Sequence, residues 1–366
     1  MLKRRLLFLR GFVLTLVFPL SVNILSEEME MNHSHMKDHG MHKASHHAPS
    51  GIMGGEYHKK GQLMFSIKKM RMNMKQNSNL GKRLSDQQII SLPNPYSNGS
   101  MLPKLSAVPL NMNMDMTMLE GMYGISDKYT LMLMATYLSK NMNLNSYKAM
   151  GDRALVGSFS TQTANLSSFS LSSLIRIKET KAYKLHLEVG LEKSIGSNDA
   201  EGEILNPMSM KINARFPYAM QTGDKSTSLI SAMTFTKIDE DWSYGSQIKN
   251  KQAIDKEDWN FGNSTSLNFW ISKDVSDQLS LSLRGSFLYQ DSLEGRDVKI
   301  MAPVQTSNPK NYGGKTYEVA FGVNRLLKVG SGNSLGLELV MPVKQKLNGP
   351  QMELNNSLNL VFRKSF

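Results

Sequence analysis

Seven of the eight histidines of this 366-residue chain lie between Met29 and Lys60, at His33, His35, His39, His42, His46, His47 and His58. Met36 and Met41 stand among them, with Met29, Met31 and Met53 close by. Imidazole binds copper, nickel and zinc, and thioether selects soft copper(I), so this mixture points to copper or another transition metal rather than calcium or magnesium. The His-x-His and His-x-x-His spacings can chelate without a fold, yet they match no zinc-site pattern. A solvated low-complexity linker has the same composition, and both readings stay open.

A second candidate is Met112, Met114, Met116 and Met118, which alternate with Asn111, Asn113, Asp115 and Thr117. On a strand the four methionines share one face. Turned inward, they would form a thioether ladder or an apolar lining. Turned outward, they are a soft hydrophobic stripe. Asp115 takes the face opposite to theirs, and a carboxylate in hydrocarbon is costly, so the expectation is methionines toward lipid. His186, the remaining histidine, shares a strand face with Glu188. With the many serines this admits a lipid hydrolase as a third function, although no nucleophile is fixed by spacing, and a hydrogen-bond network is the simpler use of such a pair. No Walker loop, dinucleotide fingerprint, HExxH or Gly-x-Ser-x-Gly occurs, so an enzyme is not expected.

The elements that must position these groups alternate apolar and polar side chains from Gln62 to the end. Ser280, Ser282, Arg284 and Ser286 interleave with Leu279, Leu281, Leu283, Gly285 and Phe287. Two such faces, one for lipid and one for water, define an all-β fold, a transmembrane antiparallel β-barrel of about twelve strands. The strands are expected at 62–74, 110–124, 128–142, 168–179, 183–194, 226–238, 242–253, 259–273, 278–291, 316–327, 334–344 and 353–366. A switch of parity between Ile67 and Met70 suggests a bulge in the first. Joints after even-numbered strands are short and those after odd-numbered strands mostly long, including 143–167 and 345–352. That sorting suits a barrel with short periplasmic turns and long outer loops.

One expected face carries Tyr183, Leu185, Leu187, Val189 and Leu191, and in a later strand Leu335, Leu337, Leu339, Met341 and Val343. The other carries Arg176, His186, Glu188, Arg284, Glu318 and Glu338, read as lumen groups that set selectivity. Trp242, Tyr244, Trp259, Tyr129 and Tyr137 lie near strand ends, where aromatic girdles sit.

Residues 1–26 read as a signal peptide, with Lys3, Arg4 and Arg5 before an apolar run from Leu6 to Leu20. Residues 27–61 read as a disordered, flexible His/Met-rich tail in the periplasm, and 62–366 as the barrel. The absence of cysteine excludes a disulfide scaffold. Mean hydropathy is −0.33, which excludes a helical membrane protein but not a barrel. Net charge is +12, and about +8 once the leader's four Lys/Arg are removed. Basic residues are scattered through strands, which suits lipopolysaccharide or anionic solutes and not nucleic acid. Leu358, Leu360, Phe362, Lys364 and Phe366 alternate to an aromatic C-terminus. This ending is similar to the signal read by the barrel-assembly machinery, with Lys364 where that signal has an apolar residue.

The runs Met70-Arg71-Met72, Asn111 to Met118, Leu174-Ile175-Arg176, Pro217-Tyr218-Ala219-Met220-Gln221, Ala302-Pro303-Val304-Gln305-Thr306 and Asn348-Gly349-Pro350-Gln351 carry a resemblance. Together they resemble a bacterial outer-membrane transporter family of the "MetA-pathway of phenol degradation" type. The resemblance implies a barrel in the bacterial outer membrane that passes a small solute, hydrophobic or aromatic. The alternative is a metal-handling outer-membrane protein working through its tail.

Overall fold

The computed structural model describes residues 43–97, 102–255, 257–328 and 332–366. Among them twelve antiparallel strands close into a barrel. They are β1 (Leu63–Asn79), β2 (Ala107–Gly124), β3 (Tyr129–Tyr147), β4 (Leu155–Glu179), β5 (Tyr183–Ser194), β6 (Thr227–Asp239), β7 (Trp242–Asp255), β8 (Ser264–Ser276), β9 (Leu279–Gln290), β10 (Gly314–Leu326), β11 (Ser334–Leu347) and β12 (Pro350–Ser365). Each pairs with its sequence neighbour, and β12 returns to β1 from Met64↔Ser365 to Asn79↔Pro350. The Phe366 amide donates to the Leu63 carbonyl at 2.8 Å, so the last residue completes the closure.

The alternation sorts as expected over most of the wall. Leu335, Leu337, Leu339 and Met341 are exposed on the outer face of β11, while Glu338 is fully buried inside. Tyr129, Tyr137, Trp242 and Tyr244 are exposed on the outside. Trp259 is not among them. It leaves β8, which starts at Ser264, pairs instead with Gly295 and is 1 % exposed.

The strands overrun the apolar belt on the long-loop side. β4 has 25 residues, where about 9–11 span a bilayer. Above Tyr137 the outer face of β3 becomes Ser139, Asn141, Asn143 and Asn145. This overrun accounts for three departures from expectation. Segment 143–167 is mostly strand, with only 148–154 as the joint between β3 and β4. The joint expected at 345–352 shrinks to Asn348 and Gly349, a two-residue turn with Gly349 at φ +70°. No bulge lies between Ile67 and Met70, where β1 and β2 pair in unbroken register; the shifts against β12 fall at Asn73/Met74 and Lys75/Asn77.

The methionine stripe is the main reversal. Met112 and Met118 are buried and Met114 and Met116 half-buried on the lumen side, and Asp115 is exposed outside. The cost assigned to an outward Asp115 assumed mid-bilayer depth. Asp115 pairs in register with Ser139, beyond Tyr137, and its carboxylate meets Arg71 Nε at 3.4 Å. It is therefore above the belt, where charge is cheap. Replacing Leu133 with Arg should cost about 2–4 kcal/mol of barrel stability, and Asn141→Arg further along the same face about 0–1 kcal/mol, measured by urea unfolding in liposomes.

Candidate functional site

Twelve tilted strands enclose more space than their own side chains fill. Much of it is taken by residues 43–60, which the sequence placed in the flexible tail. They enter the lumen at the end that carries the short turns. Lys43 Nζ pairs with Asp241 at 2.6 Å beside the β6–β7 turn, and the Ala44 amide donates to the Asp277 carbonyl at 3.2 Å beside the β8–β9 turn. A single 3₁₀ turn at Ala44–His46 follows. The next residues close on themselves, since Glu56 accepts from the Ala48 amide at 3.0 Å and faces His47 Nδ1 at 3.1 Å.

Wall residues from around the barrel then hold this plug by its backbone. Ser45 donates through both its amide and its hydroxyl to Asp274, at 2.8 and 2.7 Å, and Ser243 donates to the Ser45 carbonyl at 2.7 Å. Asn324 donates to the His47 carbonyl at 3.1 Å, Arg363 to that of Ala48 at 3.3 Å and Gln247 to that of Met53 at 3.0 Å. Thr130 exchanges hydrogen bonds with the His58 backbone at 2.9 and 3.0 Å. The apolar contribution is Ala48 and Ile52 against the inward indole of Trp270.

The six residues expected to line a solute path mostly serve this plug. His186 Nε2 meets the Gly54 carbonyl at 2.8 Å, and its ring stands edge-on to Tyr57 at 5.3 Å. Arg176 covers the other side of Tyr57 at 4.7 Å and pairs with Glu179 at 2.7 Å. Glu188 is buried, accepting from Ser172 at 3.1 Å and from Lys249 at 3.1 and 3.0 Å. Arg284 grips Glu338 through two nitrogens at 2.8 and 3.2 Å, with Asn268 and Asn359 completing the set. Glu318, bonded to Ser286 at 3.0 Å, is half-buried.

Glycines let the plug sit on these charges. A Cβ at Gly51 would come within 2.4 Å of both Arg284 and Glu338, and one at Gly54 within 2.9 Å of Glu188. Between the plug and the inner faces of β1, β2 and β12 the remaining cavity is about 30 Å³. That holds a water, not a solute. The sequence reading missed Asp274, Asn324, Arg363 and Trp270 as partners. The signal available for the plug was the Gly51-Ile52-Met53-Gly54-Gly55 run, which departs from the His/Met composition upstream.

The long-loop end carries a lid. Lys140, inward on β3, donates to the Ala219 carbonyl at 2.9 Å and to that of Gln221, and Thr163 donates to that of Met220 at 2.7 Å. Pro303 accepts from the Ser106 and Ala107 amides, and Gln305 donates to Asn77 at 2.7 Å. Phe216, Met220 and Val304 pack on inward Met112 and Met142. Tyr218 packs edge-on to Trp259 at 4.8 Å, and burial pushes its phenol up to about 12, while its hydroxyl accepts from the Asp297 amide at 2.9 Å.

Of the expected metal ligands, His33, His35, Met36, His39, Met41 and His42 lie outside the described residues. His46, His47 and His58 are described, and no three His, Cys, Asp or Glu side chains converge on one point among the described residues.

No protein-family model matches the chain, and no curated protein does. Solved structures do. An outer membrane channel from Pseudomonas putida F1 shares 14 % identity, covers 86 % of this chain and 99 % of its own, and has a TM-score of 0.54. The beta domain of a Bordetella autotransporter gives 9 %, 84 %, 100 % and 0.44, and a Pseudomonas aeruginosa FadL homologue 8 %, 89 %, 98 % and 0.42. The first shows that this chain shares the β-barrel fold of that protein.

Gly51→Val should loosen the plug, because the new side chain would collide with the buried Arg284–Glu338 pair, which is costly to break. Limited proteolysis is expected to cut the variant between residues 43 and 60 faster than the parent protein, with an unchanged β-sheet circular dichroism spectrum.

Proposed function

We propose that the chain is an outer-membrane channel for small solutes that combine an apolar body with a polar group. The observation that carries this reading is the asymmetry of the lumen between plug and lid. On β1–β3 the inward positions Met70, Met72, Met114, Met116 and Leu138 form an apolar wall. Opposite, Lys249, Lys251, Ser286 and Glu318 supply a hydroxyl and charges. A solute with one face of each kind satisfies both walls, whereas a sugar leaves the thioether side unused and an alkane leaves buried charges unsolvated. The similar fold of the Pseudomonas putida channel supports the same reading.

Passage requires both closures to move. In this reading residues 1–26 are a cleaved leader, the short turns and the plug's entry point face the periplasm, and the long-loop end faces lipopolysaccharide. Phe366 is the residue offered to the assembly machinery. A hydrolase is disfavoured because His186 Nε2 is committed to the plug carbonyl of Gly54.

Proteoliposomes with folded protein should take up benzoate, a ring with one anionic group, faster than gluconate at equal concentration. Benzoate uptake no faster than in protein-free vesicles would contradict the proposal.

A further inference from the structure

On β1, β2 and β3 methionine is confined to the lumen face. The inward registers read Met74, Met112, Met142; Met72, Met114, Lys140; Met70, Met116, Leu138; Lys68, Met118, Thr136; Ser66, Glu120, Met134; and Met64, Met122, Met132. The outer faces of the same strands use Phe65, Ile67, Leu119, Tyr123, Leu131, Leu133 and Tyr137, with no methionine among them. If methionine served here only as a soft hydrophobe, nothing would keep it off the lipid side. What separates it from leucine is the thioether, a neutral soft donor.

The bottom register is sealed with Leu174 and Tyr57, and the top one under Met220 of the lid. Met70, Met72, Met114 and Met116 lie between and stay half-exposed to the lumen. Met72 stands directly opposite Met114 and Met70 opposite Met116, in adjacent inward registers. Opposed Cβ atoms of an antiparallel pair are about 4.5–5.5 Å apart, and inward neighbours on one strand are about 6.8 Å apart. Flexible methionine side chains span such gaps, so three or four sulfurs can reach one point. The two nearby ammonium groups are already engaged: Lys140 donates to the lid carbonyls of Ala219 and Gln221, and Lys68 to Met53 Sδ at 3.5 Å.

We propose that Met70, Met72, Met114 and Met116 form a thioether site for a soft monovalent d10 cation, copper(I) or silver(I), within the barrel wall and separate from the N-terminal histidines. The ion arrives already monovalent and is held by coordination alone, with no change of oxidation state.

Silver(I) is the probe, because it needs no reductant. The full-length folded protein is treated with hydrogen peroxide with and without silver, and sulfoxide is read at each methionine by peptide mass spectrometry. The expected result is at least fivefold slower oxidation of Met72 and Met114 with silver present, while the exposed Met150, Met208 and Met210 of the long-loop end oxidise at unchanged rates. Equal rates at Met72 and Met114 with and without silver would overturn the site. The variant in which all four become leucine should bind one silver ion fewer per chain; an unchanged count in a folded variant would also overturn it. Benzoate uptake is measured without silver, so the site and the channel reading stand or fall separately.

Discussion

The backbone seam between β12 and β1 is the constraint on which the molecule depends. In hydrocarbon an unpaired amide or carbonyl costs several kcal/mol, so a sheet can cross only if it has no edge. The register from Met64↔Ser365 to Asn79↔Pro350 removes both edges at once, and the Phe366 amide bonds the last open carbonyl, that of Leu63. Phe366 also stands edge-on to Phe65 at 6.2 Å, under the Lys364 ammonium at 4.6 Å. The outward lysine near the C-terminus thus sits over an aromatic ring at the barrel rim, where a long side chain can keep its charge in water.

Closure creates the second requirement, a polar interior that must be filled or hydrated. The plug answers it with backbone carbonyls more than with side chains. His186, Gln247, Asn324, Arg363, Ser243 and Thr130 each spend a donor or ring nitrogen on a carbonyl of residues 45–58. Beneath it the Arg284–Glu338 pair and the Glu188 carboxylate, which meets half-buried Lys249, are kept from water, which is tolerable only because each is further hydrogen-bonded, by Asn268 and Asn359 in one case and Ser172 in the other. Charges placed this way serve shape and specificity of seating more than net stability.

Strand number, order and most lipid-facing residues were legible in the sequence because period-two alternation is a strong signal when one side is lipid. Depth was not legible. Asp115 could be placed outward safely only after Tyr137 showed where the belt stops, and the same ignorance hid the Asn348-Gly349 hairpin inside an expected loop. The inward charges were found, but not their task, because residues 43–60 have no periodicity to reveal where they fold. His47 and His58, read among metal ligands, are plug residues whose backbone is bonded to the wall. Trp259 was misread because a strand-end aromatic and a lid aromatic look alike in one dimension. The Pro217–Gln221 and Ala302–Thr306 runs, which carry the family resemblance, prove to be the two lid segments.

The direct test is a disulfide between plug and wall. The chain has no cysteine, and the Ser45 and Asp274 side chains touch at 2.7 Å. With both replaced by cysteine, oxidation of the protein in native membranes should give near-complete cross-linking and a barrel that resists opening in bilayer recordings. Two free thiols that are both rapidly alkylated in folded protein would show that residues 43–60 are not seated in the lumen, and would contradict the account.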